Sequence, residues 1–307
     1  MSPLSASHAV SRAGAWLDRL VDDRGSLRPI AVMRCCFGVI VVLHFRPIVS
    51  AEPTAVERFH VPWWSWVPEP SPALYSAIAW TGLVAGVAMA LGLLCRAATV
   101  VAAACVAYLL VLDVGGFGHN RAYLLLLLVG LTTLPTDAAL AVDRVWRPDR
   151  PVVGLIWPVY AMRVVASSIY LASGGSKWLD ADWRSGHTLW ARMRFYEANL
   201  PFGGWLKDLY LSRGFWYVAA PMVLAAEIAI GVGLWHRRTR LWAMALAVGF
   251  HVSIEITASV QTFSYSGIAA LLLWVVHPTD RGPVLPDRLR ALIPGLATPT
   301  MARPTLR

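Results

Sequence analysis

Ala172-Ser-Gly-Gly-Ser-Lys-Trp-Leu-Asp-Ala-Asp-Trp-Arg-Ser-Gly186 closes an apolar run long enough to cross a bilayer. Two glycines let backbones approach closely, and Lys177, Asp180, Asp182 and Arg184 then arrive among Trp178 and Trp183. Where hydrocarbon gives way to headgroups, such a cluster is either an interfacial anchor or the wall of a reaction site. The rest of the chain fixes the solvent. Of 307 residues, 57% are hydrophobic and 15% charged, with a mean hydropathy of +0.55. A soluble domain carries roughly a quarter of its residues as charges. The fold class that follows is all-α: a polytopic integral membrane protein with about eight transmembrane helices.

Outward from the quoted stretch, the apolar runs fall at roughly 30–49, 73–94, 97–112, 121–135, 154–175, 215–235, 240–258 and 263–277. The third, fourth and eighth are short for a span. No internal repeat interrupts them, so one membrane domain over 29–278 is the simplest division. Before it, 1–28 reads as a cytoplasmic amphipathic segment, because Ala15-Trp-Leu-Asp-Arg-Leu-Val-Asp22 alternates apolar and charged residues at helical spacing. It lacks the apolar core of a secretory signal. After it, 279–307 is a basic cytoplasmic tail.

Lysine and arginine set the orientation. Arg12, Arg19, Arg24 and Arg28, then Arg144, Arg147 and Arg150, Arg237, Arg238 and Arg240, and the tail fall on one side. That side is cytoplasmic, which puts both termini inside and the protein in the plasma (inner) membrane. The same count brings His44, Asp113, His119, Lys177, Asp180, His251, Glu255 and Tyr265 to the outer half, although no arginine required it. Arg34, Arg163 and Glu227 lie nearer the inner half, where a charge costs several kcal/mol unless paired. An ion pair between Glu227 and one of these arginines is the expected solution. In the long outer segment, Thr188–Leu200 and Trp205–Leu211 mix basic and aromatic residues at helical spacing, separated by Pro201-Phe-Gly-Gly204. Two amphipathic helices on the outer face would roof the polar cluster, as interfacial packing or as a lid. Val61-Pro-Trp-Trp-Ser-Trp66 is expected to anchor in the same layer.

Several function classes are excluded or disfavoured. The net charge of +9 is spread over short loops, as a topology signal, so nucleic acid is not an expected partner. Cys35, Cys36, Cys95 and Cys105 lie in or at the ends of apolar runs with no CxxC spacing, which suggests neither disulfides nor zinc. No metal site is expected. A phosphate-cradling glycine loop, an HExxH helix and a GxSxG elbow are all missing from the sequence.

Tyr170–Gly186 resembles the signature of vitamin K-dependent gamma-carboxylases and their bacterial relatives, the HTTM (horizontally transferred transmembrane) domain proteins. Arg28-Pro-Ile-Ala-Val-Met-Arg-Cys-Cys-Phe-Gly38, His119 with Tyr123-Leu-Leu, and His251 with Gln261-Thr-Phe-Ser-Tyr265 agree in order. The resemblance runs from about residue 28 to 278, and only Lys177–Gly186 is specific. It implies a reduced naphthoquinone (menaquinol or vitamin K hydroquinone) with O2 and CO2, used to modify a peptide or small molecule at the outer face. Carried over residue by residue, Lys177 is the base and His119 the donor that stabilises developing negative charge. His251, Trp178, Asp180, Trp183 and Tyr265 would bind quinol or substrate. Animal carboxylases have two adjacent lysines here, and Trp178 stands at the second. They also have a large lumenal region, so a secreted peptide or partner protein must supply the substrate. The rival reading is a non-enzymatic maturation or export factor for a secreted peptide, as in sporulation-delaying toxin systems. A transporter gains nothing from the sequence beyond its spans.

Overall fold

The structure is a computed structural model that describes residues 18–51, 64–112, 117–258, 260, 262–279 and 287–292. Each of the eight apolar runs is a helix. They are α1 (Arg28–Ser50), α2 (Pro72–Leu91), α3 (Cys95–Leu112), α4 (His119–Thr132), α5 (Trp157–Leu179), α9 (Arg213–Gly233), α10 (Arg240–Ala258) and α11 (Thr262–Ala270). A 3-10 turn, Leu271–Trp274, prolongs α11. The segment between the fifth and sixth apolar runs supplies α6 (Ala181–Arg184), α7 (His187–Phe195) and α8 (Gly204–Leu211), and α12 (Asp287–Leu292) lies in the tail. Among the described residues, α1, α2, α3 and α9 are the four helices both long and apolar enough to cross a membrane. Part of the amino-terminal amphipathic segment, 18–22, is helical; Ala15, Trp16 and Leu17, like Asp113, Gln261 and Val61–Trp63, lie outside the described residues.

Helix ends follow local chemistry. Pro29, Pro72 and Pro158 stand in first turns, where a missing N–H costs nothing. The Ser71 hydroxyl caps α2 by accepting from the Leu74 N–H at 3.3 Å. The α2 helix ends on Gly92 at φ 75°, a left-handed position that favours glycine. The start of α3 is capped from a distance: the Asp143 carboxylate accepts from the N–H groups of Leu94 and Cys95 at 2.7 and 2.9 Å.

Small residues govern the packing. Gly82, Gly86 and Ala90 recur every four residues along α2, and there α1 lies directly against the backbone. A side chain at Gly38 would strike Ala90, and one at Gly86 would strike Val41 and Val42. The register, 38 with 90 and 45 with 82, makes α1 and α2 antiparallel. Likewise Gly174 of α5 meets Glu227 and Ile228 of α9, and Gly231 of α9 meets Leu171. The exteriors are apolar: Trp80, Val84, Val87 and Leu91 form an exposed stripe on α2, and Trp242 on α10 is 79% exposed. Buried positions instead hold Arg34, His44, Arg163, Glu227 and His251. Apolar residues outside and charged ones inside is the arrangement expected of a protein dissolved in lipid.

Two expectations need correction. The all-α reading missed a two-stranded antiparallel ribbon, β1 (Arg24–Ser26) and β2 (Val153–Leu155), with Gly25 opposite Gly154. Residues 154 and 155, read as the start of the fifth span, belong to it. The expected pairing of Glu227 with an arginine is also replaced. Arg34 donates to the carbonyls of Thr136 (2.8 Å) and Leu140, and Arg163 to those of Leu273 (2.8 and 3.0 Å) and Val276. A planar guanidinium serves several diverging carbonyls at once, and the ends of α4 and α11 present such groups without partners of their own.

Candidate functional site

Tyr170, Gly174 and Lys177 are four and three residues apart, so they share one face of α5. Gly174 brings the α9 backbone close at that point, and this lets Glu227 reach the last turn of α5. Lys177 Nζ donates to Glu227 Oε1 at 2.7 Å and stands 4.7 Å from the centre of the Trp183 ring. The lysine side chain is 24% exposed and the glutamate 4%. A charge-assisted bond of this length offsets part of the cost of burial. Glu227 Oε2 is buried without a partner among the described residues.

One layer deeper along the same face, the Tyr170 hydroxyl meets His251 Nε2 at 2.6 Å. His251 is 1% exposed; it occupies the space left by the missing side chain of Gly267 and is ringed by Phe250 and Phe263 at 5.7 and 5.3 Å. Its Nδ1 has no partner among the described residues, nor does the hydroxyl of Tyr123, whose ring packs on Phe263 at 5.9 Å. Lys177, Glu227, Tyr170 and His251 thus form a buried polar series inside an aromatic shell.

The other residues expected at a site are placed differently. Asp180 caps α6, its Oδ1 accepting from the Asp182 and Trp183 N–H groups at 2.8 and 3.3 Å. By orienting α6 it sets Trp183 beneath the lysine. Trp178 is 44% exposed and its carbonyl accepts from Arg184 at 2.7 Å. Tyr265 is exposed, with its hydroxyl 3.4 Å from Glu255. His119 opens α4, is exposed, and rests edge-on to Phe117 at 6.5 Å; no described contact joins it to Lys177. His44 is buried beside Phe45. Helices α7 and α8 are tied down by Trp190 Nε1 donating to the Leu211 carbonyl and Trp216 Nε1 to that of Tyr210. Phe195 and Trp205 remain 81% and 76% exposed.

Glu227 and Tyr170 were not singled out as site residues from the sequence. Glu227 is the one acid within α9, and Tyr170 stands seven residues before Lys177; both signals were there to be read. Among the described residues no group of three or more His, Cys, Asp or Glu side chains could hold a metal ion. The unpartnered His251 Nδ1 and Tyr123 hydroxyl belong to rings that both pack on Phe263.

Helices with apolar exteriors around buried ionisable groups define an integral membrane domain with a polar interior. Residues 25–278 match the model of the HTTM domain, and the chain belongs to that family. Comparison with curated proteins and with solved structures gave no match.

Proposed function

We propose that the Lys177–Glu227 pair is the proton-accepting centre of a quinol-linked modification reaction, carboxylase-like in class, acting on a peptide or small molecule at the outer face. The observation that supports this is the unpartnered Glu227 Oε2 beside a lysine already bound to Oε1. In the ammonium–carboxylate state Oε2 is the open acceptor and takes the proton itself, while Lys177, already an ammonium, holds Oε1 by donating across the 2.7 Å bond. Trp183 closes one side of the ammonium and orients it. Tyr170 and His251 extend the polar series inward, and Trp178 faces outward at the boundary where a lipid-borne ligand arrives. His119 would enter as a donor from the α4 rim. A reduced naphthoquinone, when bound, would supply reducing power with O2, and CO2 would be the group added. The test is mass spectrometry of secreted peptides from cells with the protein, without it, and with Glu227→Gln. A gain of one CO2 on glutamate that needs both the protein and Glu227 is expected; identical peptides in all three strains would overturn the reading and favour the maturation factor.

In this reading the eight helices formed by the apolar runs all cross the plasma membrane, with 1–28 and 279–307 cytoplasmic. The end carrying β1 and β2 then faces inward and Lys177 outward. Asp182 and Asp149 are exposed at opposite ends. Cysteine at 182, in a background lacking the native four, should react with an impermeant maleimide on intact cells, and cysteine at 149 only after permeabilisation. The reverse pattern would invert the topology.

A further inference from the structure

At the end of the bundle opposite Lys177, the start of α3, the end of α4 and the loop after it enclose a cavity of about 590 Å³. Its size is that of a small-ligand pocket rather than a packing defect. Its lining includes Arg96, Arg147 and Arg150, with Thr136, Asp137 and Asp143. The balance of charge is less even than this suggests, because both acids are committed. Asp143 caps α3 through the Leu94 and Cys95 N–H groups, and Asp137 pairs with Arg150 at 3.2 Å. Burial alone would raise the Asp143 carboxyl; the backbone N–H bonds, then nearby Arg147, outweigh it and hold it below its usual value. It is an anion at neutral pH that is already spent on a helix end.

The wall is rigid for separate reasons. Arg144 donates to the carbonyls of Ala138, Pro148 and Arg150, and buried Arg34 holds those of Thr136 and Leu140 from beneath. Those two guanidiniums build the loop. The side chains of Arg96 and Arg147 are exposed and make no described hydrogen bond or ion pair, so two forked cations are left lining a preformed concavity. Of its apolar lining, Leu94 and Trp146 are 64% and 65% exposed. Cations within and apolar side chains at the rim suit a ligand with an anionic head and an apolar body.

We propose that this cavity binds a phosphate ester, with Arg96 and Arg147 as its ligands. Guanidinium forks match phosphate oxygens in pairs, and the apolar rim favours a lipid headgroup over a soluble ester. The site is independent of any chemistry at Lys177. It is tested on the full chain purified in detergent, by native mass spectrometry with added phosphatidylglycerol, phosphatidylcholine or glycerol phosphate. Phosphatidylglycerol retention should fall about tenfold in Arg96→Ala/Arg147→Ala, the loss of roughly one charged bond's worth of affinity. Thermal unfolding should confirm that this variant is folded, since neither side chain supports the loop. Arg237→Ala/Arg238→Ala, a basic pair in the α9–α10 turn at the same end, should retain the lipid. Competition by glycerol phosphate would identify a soluble source, and its failure a lipid one. Undiminished retention in Arg96→Ala/Arg147→Ala, or equal loss in both variants, would overturn the proposal.

Discussion

Arg34→Ala should leave almost no folded protein in detergent extracts. Arg34 is fully buried and is the shared partner of the loop that follows α4, donating to Thr136 at 2.8 Å and to Leu140. It also reaches the Cys95 and Cys35 sulfurs at 3.3 and 3.1 Å. Truncation strands two carbonyls and opens a side-chain-sized cavity, a loss of about 4 kcal/mol or more. Leu140 adds to this, because at φ 50° it holds a left-handed backbone that a non-glycine residue keeps only when its surroundings enforce it. Arg34→Lys should recover only part of the loss, since one ammonium cannot reach carbonyls spread around a planar fork. Size-exclusion profiles and thermal unfolding of the extracted variants measure both. A wild-type profile for Arg34→Ala would mean that the loop holds itself together.

Lys177→Met should destabilise the protein by about 3 kcal/mol, because it leaves Glu227 buried and unpaired. Glu227→Gln should cost less, as Lys177 is partly exposed and can turn toward water. Lys177→Met combined with Glu227→Leu should recover most of the single-variant loss, for a buried pair can be replaced by apolar groups more cheaply than it can be broken. Unfolding curves of the wild type, Lys177→Met, Glu227→Leu and the double variant complete the cycle. Strictly additive losses would show that the two residues do not act as a pair.

That cycle also shows what could be read from the sequence. The eight apolar runs were legible because helical spans need long stretches without charge, and the Lys177 motif was legible because its composition is rare at such a boundary. The expected pairing of Glu227 with an arginine was not legible as wrong: Arg163 serves the carbonyls of Leu273 and Val276, and the partner of Glu227 lies 50 residues away in sequence. Spacing identifies neighbours within one helix, whereas the meeting of α5 and α9 depends on where Gly174 and Gly231 permit contact. The ribbon of β1 and β2 was invisible because three-residue strands carry no periodicity to detect. Asp180 was legible as polar and boundary-placed, but its use as a cap depends on the break between α5 and α6.

The two buried arginines also bear on the electrical state of the membrane. Lys177 and Glu227 together carry no net charge, but Arg34 and Arg163 are met by carbonyls, thiols and a tyrosine ring, with no carboxylate paired to either among the described residues. Both belong to the end of the bundle proposed to face the cytoplasm. In an energised membrane, negative inside, each cation is drawn toward that side by a fraction of roughly 2.3 kcal/mol per 100 mV. In the proposed orientation, charge inside the fold would act in the same sense as charge in the loops, and dissipating the potential would remove that contribution.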